Sequence, residues 1–383
     1  FYEKCLSLLS SDGVSSLITS NKWMRAGYGA STREYFYKNA DVLRIIDLGA
    51  GRFESATVDV NIILYSKTKE KYRRGERSFD GVSYSGNLKE LNSAKFNTVV
   101  SDVSKEWVIM NTLERSIFNK IKNNKTLIDY NININRGITT GLNDAFIIDE
   151  NTKNELIKKD KNSKKLIKKL VRGRDINRYL CNFSNLYFIN THNGLKEKNI
   201  KPININDYPA IKKHLDKYYK QLEKRQDKGV TPYNLRNCTY IEDFEKPKII
   251  YQEICKEASY TFDEESCFLS NNAYMITSEN YNLKVLLGLL NSKLYWWFFT
   301  KNNIALGSSA IRMLAMYIVI LPIPEVDSKT KNKIVKLADK IIELKKQNEN
   351  TSDLEDEIDK IVYSLYGLND EEIRVINDNI FKI

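Results

Sequence analysis

The chain has 383 residues, 42% of them hydrophobic, and a formal net charge of +11. That length implies two or three domains, the apolar content excludes a chain disordered throughout, and the excess positive charge points to an anionic partner, most commonly nucleic acid. Five scattered cysteines with no C-x-x-C pair, and only His192 and His214 as histidines, argue against a disulfide framework or a histidine zinc site and favour a reducing cytoplasm, while no apolar run reaches the roughly 18 residues of a membrane span.

Taken in order, Phe1, Cys5, Leu6, Leu8 and Leu9 form a helical pattern that stops at Ser10-Ser11-Asp12-Gly13. A helix already under way at residue 1 predicts a fragment of a longer protein. Val14 to Thr19 reads as a strand, residues 29–39 as a helix, and Leu43 to Leu48 as a second strand buried through Leu43, Ile45 and Ile46. After the loop Gly49-Ala50-Gly51-Arg52-Phe53-Glu54, alternation over residues 57–65 predicts a strand with Val58, Val60, Ile62 and Leu64 on one face. Residues 66–105 are polar and weakly patterned, which predicts a strand-poor linker. Beyond them the patterns predict helices at 107–121 and 208–226 and strands at 145–148, 186–189, 248–253 and 273–276. The tail is helical. Ile334, Leu337, Ile341 and Leu344 repeat at 3-4-3 spacing, and Ser352 with Glu355, then Asn369 with Glu372, form capping-box pairs. The fold class is α/β, with domains predicted at residues 1–105, 106–326 and 327–383.

Several segments carry candidate chemistry. The loop at residues 49–54 presents Phe53 between two strands, as a hydrophobic plug or as an exposed aromatic. Leu48-Gly49-Ala50-Gly51 has the look of a cofactor loop, but no helix is predicted after it. Arg136-Gly137-Ile138-Thr139-Thr140-Gly141 is a glycine-rich turn feeding a strand. Residues 158–179 are dense in lysine and end in Arg172-Gly173-Arg174-Asp175-Ile176-Asn177-Arg178-Tyr179. Guanidinium forks suit phosphates and guanine edges, although Asp175 offers one of them an internal partner. Residues 208–251 interleave tyrosines with Arg225 and Arg236, a composition suited to backbone binding and base stacking, with Ile211 and Tyr218 reading as core. Leu286 to Phe298 reads as a buried helix. Asp243, Glu253 and Lys256 approach a metal-nuclease pattern, but the last spacing is one residue too long.

The run Asn21-Lys22-Trp23-Met24-Arg25-Ala26-Gly27-Tyr28-Gly29, with Arg33-Glu34, Ile45-Ile46-Asp47-Leu48 and Arg52-Phe53-Glu54, resembles the late motifs of TaqI-like N6-adenine DNA methyltransferases. The turn at residues 136–148, the Arg172–Tyr179 segment, the Leu286–Phe298 helix and Leu321-Pro322-Ile323-Pro324 resemble the specificity domain of type IIG restriction-modification enzymes, in the same order. The resemblance implies the C-terminal part of such an enzyme: the tail of a class I, Rossmann-like methyltransferase sheet, a mixed α/β target-recognition domain and C-terminal helices. It implies double-stranded DNA as partner, S-adenosylmethionine as cofactor of the intact enzyme, a catalytic region N-terminal to this chain, and Phe53 as the aromatic that stacks on a flipped adenine. DNA contacts are expected from Lys22, Arg52, Arg136, Arg172, Arg174, Arg178, Arg225 and Arg236, and no metal site is expected. The family's Asn-Pro-Pro-Tyr motif and glycine-rich cofactor loop do not occur in these 383 residues. No residue here therefore inherits a catalytic role, and the chain alone is expected to be inactive. Any nuclease domain is expected upstream. The alternative is a non-catalytic specificity subunit that recruits catalytic partners through its C-terminal helices. The 3-4-3 stripe favours it, and the strand-rich residues 14–65 disfavour it.

Overall fold

A computed structural model describes residues 1–49, 51–53, 58–68, 77–84, 86–101, 106–302, 305–306 and 310–379. The chain divides into two compact units, both discontinuous in sequence. The first contains residues 1–124, 293–312 and 363–383, the second residues 125–292 and 313–362.

The first unit is built on a mixed sheet of order β1-β3-β2-β4-β5, with β1 Val14–Ser20, β2 Ala40–Gly49, β3 Val60–Lys67, β4 Arg77–Ser83 and β5 Asn97–Ser101. Only β2 and β4 pair in parallel. Helices α1 (Tyr2–Leu8) and α2 (Ala30–Asn39) cover one face, where Leu6, Trp23, Phe36 and Trp107 pack with Ile45, Ile63, Tyr65 and Phe79. On the other face Ile46, Leu48, Val60 and Val82 gather with Ile62, Leu91 and Phe96.

A sheet covered on both faces has no clean inside and outside, and in β3 both alternating sets of side chains meet a core. Asn61, Ile63 and Tyr65 are the fully buried set, while Ile62 and Leu64 are half-buried. Leu43 is exposed, because the pairing of β2 with β3 passes from Val42 to Arg44 and leaves it as the extra residue of a bulge. The segment expected to be a linker, residues 66–105, supplies β4 and β5. Its signal is weak because Phe79 and Val82 are the only large buried apolar side chains in β4. Gly81 lets the two strands close up, since a Cβ there would lie 2.6 Å from Val99. Helix α3 (Thr112–Lys122) starts after Trp107, capped reciprocally by Asn111 and Glu114. The final helix, Asp370–Asn379, joins α3 through Lys120 and Glu372 at 2.7 Å, and Asn369 and Glu372 form the expected capping box.

The second unit contains two four-stranded sheets. One has the order Phe268–Leu269, Ile167–Val171, Leu186–Ile189, Ile147–Asp149; the other has the order Tyr260–Asp263, Lys248–Gln252, Ala273–Thr277, Asn133–Arg136 and is antiparallel throughout. Phe146, Phe188, Phe244 and Phe268 fill the core, with Phe244 stacked on Phe268 at 4.7 Å. Residues 143–146 are a helical turn, so the strand expected at 145 begins at Ile147. The single helix expected over 208–226 is two, Pro209–Asp216 and Tyr219–Lys224. The apolar helix expected over 286–298 breaks at an extended Ser292.

The stripe of the helix Ser328–Lys346 is spent internally: Ile334, Leu337, Ala338 and Ile341 are buried, and Gly288 brings the Leu283–Asn291 helix so close that a Cβ would lie 2.7 Å from Ile334. The capping box expected between Ser352 and Glu355 does not form. Thr351 donates to the Glu355 carboxylate, which also receives Lys345 and Arg178.

Burial pushes the imidazole pKa of both His192 and His214 below the ordinary 6.5, in His214 against the opposing pull of the Ala145 carbonyl 3.1 Å from Nε2. A base whose folded pKa is depressed adds stability above its unfolded pKa, and that stability is lost as pH falls below about 6.5. Acidification from pH 7.5 to 5.5 is therefore expected to lower the urea midpoint, and His214→Gln to shrink that drop. An equal drop in the variant would remove His214 from the account.

Candidate nucleic-acid interface

The β2–β3 hairpin of the first unit positions Phe53. Its stem ends at Gly49 and Gly51, both with positive φ (+65° and +75°), a conformation that glycine adopts without strain. Phe53 is 46% exposed, so it is no plug. Arg52 beside it is turned to the backbone: Nε donates to Leu48 O at 3.2 Å, Nη1 to Gly86 O at 3.0 Å and Nη2 to Tyr84 O at 2.8 Å. On the stem, the buried Asp47 carboxylate accepts from Asn21 Nδ2 (2.7 Å), Arg25 Nη2 (2.9 Å) and the Gly49 amide (3.3 Å). Burial, and next the Asp47 charge, raise the pKa of Asp59, against the pull of Lys22 and Arg25. Lys22 is half-buried at this end of the sheet.

Gly49 and Gly51 do not fit a cofactor loop. They lie in a hairpin between antiparallel strands, not at a strand-to-helix turn, and a Cβ on either would meet nothing within 4 Å.

In the second unit the six expected arginines fall into two groups. Arg225 is buried and donates to the carbonyls of Thr140, Pro232 (3.1 Å) and Asn234 (2.5 Å), with its guanidinium 4.5 Å from the Phe146 ring centroid. Arg178 donates to Glu355 and to the Asn291 carbonyl, tying the Ser352–Leu365 helix to its neighbour. Arg172 grips Asp175 with two bonds (3.0 and 2.9 Å) and Ser184 with a third (2.8 Å). Burial pushes the Asp175 carboxyl up, but the hydrogen bonds from Arg172 and Ser184 prevail and hold it below the usual range.

Arg136, Arg174 and Arg236 form the outward group. Arg136 is half-exposed, oriented by the Asn271 carbonyl (2.6 Å) and by the buried Glu253 carboxylate (2.8 Å). Arg174 is exposed and makes no hydrogen bond or ion pair with a described residue. It is linked to Arg136 through one turn, because the amide of Gly173 donates to Asn272 Oδ1 (3.0 Å) while Asn271 holds Arg136. On the other side of Arg136, Gly137, Ile138 and Thr139 line a small crevice with Arg236, Asn237, Cys238 and Tyr240. Burial raises the Tyr240 phenol pKa, and the charges of Arg236 and Arg136 both oppose that, which puts Tyr240 within electrostatic reach of each arginine.

The outcome is a polar surface of three outward guanidinium groups, of which Arg236 also meets Asp227 at 3.2 Å, with a tyrosine and the exposed Asn271 and Asn272. Tyr240, Asn271 and Asn272 escape sequence reasoning, since isolated polar residues in loops carry no periodic signal. Glu253 is engaged by Arg136 and Asp243 by Lys246 and Asn135, and among the described residues no group of three His, Cys, Asp or Glu is arranged to hold a metal ion.

Residues 168–323 match the model of the TaqI-like C-terminal specificity domain, and residues 1–53 match that of the Eco57I restriction-modification methylase. The chain is similar to the type II methyltransferase M.BstVI of Geobacillus stearothermophilus, 22% identical across 99% of this chain and 68% of the relative. It is similar also to M.BanIII of Aneurinibacillus aneurinilyticus, 24% identical across 94% and 69%. Among solved structures, the type IIL restriction-modification enzyme MmeI in complex with DNA superposes with a TM-score of 0.58 at 13% identity, over 97% of this chain and 50% of that one. That likeness is one of fold, and the chain spans half the length of MmeI. The resemblance to TaqI-like restriction-modification enzymes expected from the motifs is borne out.

Proposed function

We propose that this chain reads DNA sequence within a restriction-modification enzyme that transfers a methyl group from S-adenosylmethionine to adenine N6. One coincidence carries the reading. The segment matching the specificity model also supplies Arg174, Arg236, Tyr240, Asn271 and Asn272 to the surface around Arg136. Arginine forks suit phosphates and guanine, asparagine suits the adenine edge, and tyrosine suits stacking.

In this reading residues 106–326 act as the target-recognition domain, residues 1–105 as the C-terminal part of a Rossmann-like methyltransferase domain, and residues 327–383 as helical support. Arg136, Arg174, Arg236 and Lys22 meet DNA. Arg172, Arg178 and Arg225 serve from inside, fixing the turns that present that surface. The cofactor and the catalytic motif belong to other parts of the intact enzyme, so this chain alone transfers no methyl group, and no residue here is assigned to DNA cleavage. The bacterial cytoplasm is its place of work, in keeping with five unpaired cysteines. The alternative, a subunit that recruits partners through its C-terminal helices, loses its main support because the apolar stripe is already covered.

DNA binding is expected to weaken steeply with salt, since each neutralised phosphate contributes a slope of about 0.9 in log affinity against log salt. Arg174→Ala is expected to reduce that slope by about one and weaken binding alike for all sequences. A filter-binding or anisotropy titration checks this, and salt-independent or absent binding would remove the central claim.

A further inference from the structure

Arg52 stands next to the exposed ring of Phe53, yet each nitrogen of its guanidinium is bonded to a backbone carbonyl. The acceptors come from two separate stretches: Leu48 ends β2, whereas Tyr84 and Gly86 follow β4. The loop is thereby fastened sideways to a strand exit that it does not pair with in sequence. Asp47 fastens the opposite side of the stem through Asn21, Arg25 and the Gly49 amide. Between these two fastenings lie Gly49 and Gly51 at positive φ, and glycine restrains its own backbone less than any other residue. An aromatic that must meet an unstacked base needs its plane held to within roughly 0.5 Å and 10–20°. The hairpin glycines do not supply that restraint, and the Arg52 bonds do.

We infer that Arg52 is a positioning residue that acts through Phe53, holding the ring where a base stacks on it, and is not itself a DNA contact. The inference rests on the reading of Phe53 as a stacking platform. The chemistry of the clamp requires arginine. Three carbonyls from two directions match the planar fork, whereas a lysine ammonium carries the same charge on a single nitrogen and cannot span them.

The test uses the complete enzyme and two duplexes of its own methylated motif, identified by modification-sensitive sequencing: one with adenine at the target, for kcat and Kd, and one with 2-aminopurine there, which lacks the N6 amine and serves for emission alone. Stacking quenches this base, so its emission reports whether the flipped base has a partner. For Arg52→Met and Arg52→Lys alike, the expected result is a fall in kcat of about tenfold or more with duplex Kd changed less than about threefold, and a bound 2-aminopurine brighter than with the wild type. On a Phe53→Ala background, Arg52→Met should cost nothing further, because the two residues act as one unit. The inference is overturned if Arg52→Met weakens binding with kcat unchanged and lysine restores it, the behaviour of a phosphate contact. It is overturned too if the losses from Phe53→Ala and Arg52→Met simply add, as they would for a general structural role. A Phe53→Ala enzyme whose bound 2-aminopurine is no brighter than the wild type's would remove the stacking role of Phe53 itself, and the inference with it. That result is distinct from the others because it leaves Arg52 unsubstituted.

Discussion

Phe53→Ala in the complete enzyme is expected to cut the methylation rate by about five- to a hundredfold while leaving affinity for the duplex nearly intact. The magnitude follows from the stacking energy of a base on an aromatic ring, about 1–3 kcal/mol, applied to a base that has lost its neighbours by leaving the helix. The ring is 46% exposed, so the substitution removes little packing, and stability should move by no more than about 0.5 kcal/mol. That separation makes the experiment decisive. Phe53→Trp should keep most of the rate, since it keeps a π face. If alanine and wild type methylate equally fast under single-turnover conditions, Phe53 is an ordinary surface aromatic.

The second large effect is on stability. Arg225→Ala takes three donors away from the carbonyls of Thr140, Pro232 and Asn234 and opens a space beside Phe146. Each acceptor left dry costs about 1–3 kcal/mol, and with partial relaxation a loss of about 4 kcal/mol is expected, a large part of the stability of an ordinary domain. Burial lowers the guanidinium pKa to about 10, so the group is still charged at neutral pH, held by carbonyl dipoles rather than by a paired carboxylate. Arg225→Lys should recover less than half of the loss, because a single ammonium nitrogen cannot stand at the positions of both Nη1 and Nη2. Urea unfolding measures both. A midpoint for the alanine variant within error of the wild type would mean that water replaces the guanidinium at no cost. The turn that Arg225 supports begins four residues beyond Arg136, at Thr140 and the positive-φ Gly141. DNA affinity is therefore expected to fall alongside stability, although the Arg225 side chain is itself buried.

The elements best read from sequence are short strands buried on both faces. Leu186–Ile189 and Ala273–Thr277 are continuous apolar runs and came out with their expected limits to within a residue. β4 was missed because Phe79 and Val82 are too few to make a pattern and Gly81 carries no side chain at all. The arginines were visible as residues, but their roles were not. An acceptor carboxylate such as Asp175 leaves a trace three positions from Arg172, whereas the carbonyls that hold Arg52 and Arg225 leave none, since every residue has one. Exposed and buried arginines therefore look alike in sequence, and the folded chain alone sorts them. Tyr240 and Asn271 illustrate the converse, polar residues given a setting only when distant turns meet.

The discontinuity of the two units bears on how such an enzyme exchanges one sequence preference for another. The second unit enters and leaves the first at residues 124/125, 292/293, 312/313 and 362/363. A double crossover that replaces residues 125–362 as a block also imports residues 293–312, which pack inside the first unit through Lys301 on Glu114 at 2.6 Å and Phe298 on Phe118 at 5.0 Å. Recombination between relatives is then constrained twice over. The donor must bring recognition loops that fold on themselves, and a helix, Lys293–Asn302, that still suits its recipient's Glu114 and Phe118. Chimeras with four junctions, which leave that helix native, should be tolerated across a wider range of parents than chimeras with two.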